Sequence, residues 1–239
     1  MNRTILVTGA TSGMGADAVL YLADHGYSVV LVGRNEEKLQ KMGQLLSTSC
    51  LASCRADLTD MESIAPLFAD LKEREIMLDG LVYCAGADSS AAPVRTIRNE
   101  NVRRLLTLHT EAFVEMCKFF YRRDFSNEGS SIVAISSLAS LMCRKNSLDY
   151  SVSKAALNAA VKVMSKEFLK RNIRVNAILP ANVDTPMCDN LKKVCDITSI
   201  QPMGFIEPRH ISYMIEYLLS DKAKYITGGL IPISAGMEY

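Results

Sequence analysis

Tyr150 and Lys154 stand four residues apart in Tyr150-Ser151-Val152-Ser153-Lys154. On a helix, a phenol and an ammonium at that spacing share one face. The chemistry such a pair offers is proton transfer. A free phenol, with a pKa of about 10, holds its proton too tightly to cycle easily near neutrality, and a neighbouring cation favours the phenolate. The spacing alone is a weak signal in a chain with nine tyrosines, although no other tyrosine here has a lysine at that distance. Ser137 closes the run Ile135-Ser136-Ser137, thirteen residues before Tyr150. A hydroxyl there could bond a substrate oxygen and orient it.

A second constellation lies near the N-terminus, in Thr8-Gly9-Ala10-Thr11-Ser12-Gly13-Met14-Gly15. Gly9 allows a tight turn with positive φ. Gly13 lets the backbone approach a phosphate without a Cβ in the way, and Gly15 permits close packing of a helix on a sheet. The helix that follows offers its free N–H groups and positive dipole end to a pyrophosphate. Glycine turns are common, so context decides: this one joins the first strand to the first helix.

These groups need elements to hold them. Short β-branched runs alternate with longer amphipathic stretches. Strands are predicted over Ile5–Thr8, Ser28–Gly33, Leu51–Ala56, Gly80–Cys84, Ser131–Ser136, Arg174–Leu179 and Leu230–Ile233. Helices are predicted over Ala16–His25, Asn35–Leu46, Asp60–Glu75, Asn101–Arg123, Tyr150–Arg171 and Pro208–Ser220. That alternation implies βαβ units and a parallel sheet with helices on both faces, an α/β doubly wound Rossmann-type fold. Ligands then lie at the carboxyl ends of the strands. No internal repeat or linker divides residues 1–239, so one domain is expected. The irregular stretch 182–204 reads either as a substrate lid or as a surface excursion.

Composition excludes several classes. The net charge of +1 lacks the basic surplus of a nucleic-acid-binding protein. No apolar run approaches a membrane span. The seven cysteines are scattered, without a Cys-x-x-Cys pair or a Cys/His cluster, so no metal site is expected. Unpaired thiols without a secretion signal point to a reducing, cytoplasmic setting.

From Thr4 to Gly236 the motifs and their order resemble the short-chain dehydrogenase/reductase family. The glycine pattern is that of its short, single-domain branch, and the serine–tyrosine interval matches. The resemblance implies hydride transfer between a nicotinamide dinucleotide and a carbonyl or alcohol substrate, with Ser137, Tyr150 and Lys154 catalytic. Reduction leaves an alkoxide that must be protonated, and Tyr150 would supply the proton. Lys154 would also bind the nicotinamide ribose. Tyr150 and Lys154 thus serve both catalysis and cofactor binding.

The cofactor site would comprise Gly9, Thr11, Ser12, Gly13, Met14 and Gly15. Asp57 would meet the adenine amino group, Ala85 and Gly86 would pass beneath the adenosine ribose, and Leu58 and Cys84 beside them would also belong to the cofactor site. Pro180, Val183 and Thr185 would flank the nicotinamide carboxamide. Gly33 stands where NAD-binding members usually carry an acid, and Arg34 and Asn35 follow. A guanidinium suits a 2′-phosphate, so NADP(H) is expected over NAD(H); the alternative is that Arg34 merely opens a charged surface helix.

The chain also departs from the family. The usual Asn-Asn-Ala-Gly is Tyr83-Cys84-Ala85-Gly86. His109 takes the place of a catalytic-tetrad asparagine whose main-chain carbonyl holds a relay water. Either His109 keeps or modifies that relay, or it is a packed histidine in a member with altered turnover. A nucleotide-binding regulator or scaffold without turnover is therefore the second reading. A third, an epimerase or dehydratase of the longer branch, expects a C-terminal substrate domain absent from these 239 residues. The rims 138–147 and 183–205 mix apolar and basic residues. They would suit a moderately apolar carbonyl compound with an anionic tail, or equally a solvated loop. A homodimer or homotetramer is expected from the resemblance, with the small residues Ala155, Ala156, Ala159 and Ala160 on the catalytic helix suited to close packing.

Overall fold

The computed structural model describes residues 3–239. Seven strands form one parallel sheet: β1 (Thr4–Thr8), β2 (Ser28–Gly33), β3 (Cys50–Arg55), β4 (Leu78–Tyr83), β5 (Ser126–Ile135), β6 (Arg174–Pro180) and β7 (Leu230–Ile233). Their order is β3-β2-β1-β4-β5-β6-β7. The order reverses between β1 and β4, which opens a crevice at their carboxyl ends. Pairing of Thr8 with Val32 on one side and Tyr83 on the other brings three strand ends to that crevice.

The helices, in chain order, are α1 (Gly13–Asp24), α2 (Glu36–Leu46), α3 (Ile64–Glu73), α4 (Asn99–Leu106), α5 (Ala112–Phe120), α6 (Ala139–Met142), α7 (Leu148–Glu167), α8 (Asp189–Val194) and α9 (Pro208–Leu219). All five residues of β1 are buried because both faces of the sheet are covered. Ile5 and Val7 pack with Val19 and Leu22 of α1 and Ile211 and Ile215 of α9. Leu6 faces the opposite core, with Phe68 of α3, Phe113 of α5 and Leu157 of α7. Each fully buried aliphatic or aromatic side chain contributes roughly 1.5–3 kcal/mol, so the sheet holds the strand ends rigidly.

β5 begins at Ser126, five residues before its expected start, and α6 was not expected; two longer stretches also differ from the sequence expectation. The long helix expected over Asn101–Arg123 is interrupted by a π turn, Thr107–Glu111, between α4 and α5. One extra residue is accommodated there, and its freed backbone groups find partners elsewhere: the buried Tyr83 hydroxyl donates to the Leu108 carbonyl at 2.5 Å. The stretch 182–204 is not wholly irregular. It holds α8 and two 3₁₀ turns, Pro186–Cys188 and Ile197–Ser199. Such pieces are too short to display a helical period. Their base is tied down by a bridge between Val183 and Ile206 and by the fully buried Gln201. Gln201 Nε2 donates to the carbonyls of Asn182 and Gly204, and its Oε1 accepts from Asn182.

Candidate active site

The glycine turn has the geometry that its residues suggest. Gly9 sits at φ +66°, and α1 begins at Gly13. A Cβ on Gly15 would lie 2.3 Å from the Gly9 carbonyl oxygen, so the helix can pack this close only without one. The first turn of α1 carries no acidic residue, and Ser12 makes no side-chain cap. The unsatisfied N–H groups and positive dipole end of α1 are thus left to an anion. Thr8 Oγ1 accepts from the amides of Cys84 and Ala85 at 3.1 and 3.0 Å, fastening the end of β4 to the turn.

A cleft of about 480 Å³ opens over this turn. Of the residues expected to meet the dinucleotide, Gly9, Thr11, Ser12, Arg34, Asn35, Leu58, Ala85 and Gly86 line it. Gly33, singled out for the acid it lacks, lines the cleft as well; sequence reasoning missed Val32, Lys38, Ala56 and Leu108. Lys38 had a legible signal, one turn beyond Arg34 on a helix that starts at Glu36. Asn35 also caps that helix, accepting from the Lys38 amide at 2.9 Å.

Asp57 lies beside the cleft, in a second hollow shared with Arg34 and Arg55. Bonds from Thr59 hold its carboxyl below the usual range, and the nearby Arg34 adds to this. The remaining expected cofactor residues lie around the cleft and do not line it. A Cβ on Gly13 would meet the Thr185 methyl group at 3.2 Å, Met14 packs against the core, and Cys84 is partly buried behind the turn. Pro180 accepts from the Leu138 amide, and Val183 is buried.

The cleft continues to the second constellation through Gly86. A Cβ there would stand 3.4 Å from His109 Nε2 and 3.9 Å from Lys154 Nζ. The main chain thus passes close to both side chains because no Cβ intervenes. Lys154 rises from α7, is 3% exposed and donates to the Ile135 carbonyl at 2.8 Å. Its ammonium stands 5.7 Å from the centre of the Tyr150 ring. Tyr150, also on α7, has the Ser137 hydroxyl, just past the end of β5, close enough to favour its phenolate.

Burial governs the ionisation of this pair. It pushes the Tyr150 phenol up to about 12, with the Ser137 hydroxyl pulling the other way. The lowering expected from Lys154 is therefore outweighed, because Lys154 bonds Ile135 and sits over the ring instead of at the oxygen. Burial pushes Lys154 down to about 8. Between roughly pH 8 and 10.5 the unfolded chain holds a proton on this lysine that the folded chain lacks, so stability rises with pH across that window. Below pH 8 the full penalty stands, about 3 kcal/mol. Lys154→Met is accordingly expected to be more stable than the parent in urea unfolding at pH 7. The advantage should shrink as pH rises from 8 toward 10; an advantage indifferent to pH would show that lysine burial is not its source.

His109 lies in the π turn and is fully buried. Its Nε2 accepts from the Ala87 amide at 3.1 Å, so that nitrogen carries no proton. Nδ1 therefore carries it and donates to Ser153 Oγ at 2.9 Å, and Ser153 Oγ donates to the Tyr150 carbonyl at 2.8 Å. Burial, with Lys154 and Arg104 nearby, pushes the imidazole down to about 2. It is neutral at any working pH with both nitrogens engaged, which makes it a fixed bridge and not a proton shuttle.

No group of side chains suited to a metal ion occurs among the described residues. None of their helices is long and apolar enough to cross a membrane. All seven cysteines are free.

A family model described as enoyl-(acyl carrier protein) reductase matches residues 9–238. The chain is 29% identical over 239 residues to carbonyl reductase family member 4 of Xenopus laevis, covering 100% of this chain and 99% of that one. It is 29% identical over 238 residues to the 3-oxoacyl-acyl-carrier-protein reductase FabG of Rickettsia conorii, covering 98% and 96%. Among solved structures, a short-chain type dehydrogenase/reductase from Mycobacterium ulcerans superposes with a TM-score of 0.90 at 28% identity, over 99% and 90% of the two chains. A 4-hydroxyisoleucine dehydrogenase complexed with NADH gives 0.90 at 28% identity over 98% of each chain.

Proposed function

Since the chain belongs to the short-chain dehydrogenase/reductase family, and is thus a nicotinamide-dependent oxidoreductase, we propose that it interconverts a ketone or aldehyde and an alcohol, with NADP(H) preferred over NAD(H). The observation that carries this reading is the meeting of the two constellations at Gly86, where the nucleotide cleft reaches Lys154 and the Tyr150 helix.

The cleft fits a dinucleotide: its glycines leave room for phosphate against the α1 N-terminus, and its far end carries two cations. When bound, the nicotinamide group supplies or accepts the hydride, and its oxidised ring brings a positive charge. The chain's own residues do the rest. Ser137 donates to the substrate oxygen and fixes the carbonyl for attack. Tyr150 delivers its proton to that oxygen as negative charge builds there, and takes it back in the reverse direction. Lys154 holds positive charge beside the phenolate left behind, and its burial lets it cycle near pH 8. His109 keeps the helix backbone at Tyr150 in place without changing charge. Low exposure of Lys154 keeps water from levelling these interactions.

The cofactor preference rests on Arg34 and Lys38 lining the cleft where no acid opposes a 2′-phosphate. A charge-assisted contact of this kind is worth about 1.5–3 kcal/mol, or roughly tenfold to a hundredfold in affinity. Fluorescence titration is expected to show NADPH binding at least tenfold tighter than NADH. Arg34→Glu should weaken NADPH by roughly a hundredfold and leave NADH within about threefold. Equal affinity of the parent protein for the two nucleotides would overturn the preference.

A further inference from the structure

Asp149 immediately precedes Tyr150 and is fully buried at the start of α7. A carboxylate loses much of its hydration there, and only several hydrogen bonds can offset that. It has four. Oδ1 accepts from Ser89 Oγ and from the Tyr150 amide, both at 2.8 Å. Oδ2 accepts from the Ser90 amide at 3.0 Å and Ser90 Oγ at 2.7 Å. Every acceptor position of the carboxylate is used, and the partners come from two places: the helix itself and the segment that follows β4.

That same segment is pinned once more, two residues earlier, where the Ala87 amide donates to His109. His109 in turn bonds Ser153, which bonds the Tyr150 carbonyl. The peptide groups on both sides of Tyr150 are therefore fixed. Its N–H is held by Asp149 and its C=O by Ser153, and each holder is anchored to one stretch of four residues, Ala87–Ser90.

We propose that Asp149 is a positioning residue for proton transfer: it ties the Ala87–Ser90 segment to the Tyr150 backbone and so aims the phenol. The inference rests on the proposed role of Tyr150. The geometry it protects is tight, since misplacement of a reacting group by about 1 Å costs on the order of a hundredfold in rate.

The test compares Asp149→Ala with the double variant Ser89→Ala/Ser90→Ala, which keeps the carboxylate and the start of α7 but removes two of its bonds. For each, kcat per folded molecule, NADPH affinity, the solvent deuterium isotope effect on kcat, and hydrogen exchange at the Ser90 amide in the nucleotide-free protein are measured. The expected result is kcat down by roughly tenfold to a hundredfold in Asp149→Ala and less in the double variant. NADPH affinity stays within about threefold, the isotope effect rises as proton transfer becomes limiting, and Ser90 exchanges faster. If Asp149→Ala fails to fold, the double variant decides. The proposal is overturned if kcat and the isotope effect stay at parental values in both folded variants. It is equally overturned if kcat and NADPH affinity fall together. A parent enzyme whose turnover survives Tyr150→Phe would remove the site assignment itself, a result separable from the others because it is read without touching Asp149.

Discussion

Tyr150→Phe is expected to lower kcat by roughly 10³-fold while leaving NADPH affinity within about twofold. On the proposed mechanism the phenol supplies the proton to the substrate oxygen, and Phe keeps the ring that packs against His109 at 5.5 Å and under the Lys154 ammonium. Fold and cleft should therefore persist. The loss should lie in the chemical step, because a positioned acid acts on the transition state and not on ground-state binding. Stopped-flow decay of nicotinamide absorbance, with NADPH affinity measured separately by fluorescence, checks it. Turnover within tenfold of the parent would show that another group supplies the proton. Burial pushes the phenol up to about 12, so a positive charge brought close to it would favour the phenolate.

The second large effect belongs to a residue with no chemistry of its own. Gly15→Ala is expected to abolish measurable nucleotide binding and to destabilise the fold by about 3 kcal/mol. The new methyl would sit 2.3 Å from the Gly9 carbonyl oxygen and 3.3 Å from Cys84 Cβ, and its nearest neighbour is backbone that cannot swing aside. Relief requires α1 to move outward, and with it the N–H groups proposed to hold the phosphates. Gly26→Ala is the control. Gly26 lies at φ +80° with nothing within 4 Å of a built Cβ, so its cost is the left-handed backbone alone, about 1–2 kcal/mol. Urea unfolding and NADPH titration of both variants check the pair. Gly15→Ala protein that binds NADPH like the parent would mean that the turn can open without consequence for the site.

The uneven legibility of this molecule has a physical pattern. β2 falls on the residues read from the sequence, because a strand buried on both faces announces itself as an uninterrupted apolar run between turn residues; β7, a half-buried edge strand, also falls on its expected residues. The glycine turn was legible because backbone conformation there depends on the absence of a side chain, which one letter records. The pairing of Tyr150 with Lys154 was legible because four residues on a helix is a local relation. The π turn was not, since an inserted residue leaves the apolar pattern of Asn101–Arg123 almost unchanged and shows itself only in which carbonyl Tyr83 meets. The environment of Asp149 was also hidden. Its serine partners lie 59 and 60 residues away, and nothing in the local pattern around Asp149 or Ser89 hints that they meet. His109 could be placed by the family resemblance, but its charge state depends on burial and on two long-range bonds.

The strand order carries a consequence for how this chain is made. Every residue lining the nucleotide cleft lies between Gly9 and Leu108, whereas Ser137, Tyr150 and Lys154 all come later. On the ribosome, β3, β2, β1 and β4 can therefore pair while more than half of the chain is still unmade. In that interval β4 presents an unpaired edge that only β5 will cover, and an open apolar edge is an invitation to wrong partners. A nucleotide captured by the nascent half would add its binding energy to the part that has folded and not to unfolded chain. Cellular dinucleotide would then act first as a folding ligand, before the elements that carry Ser137, Tyr150 and Lys154 have joined the sheet.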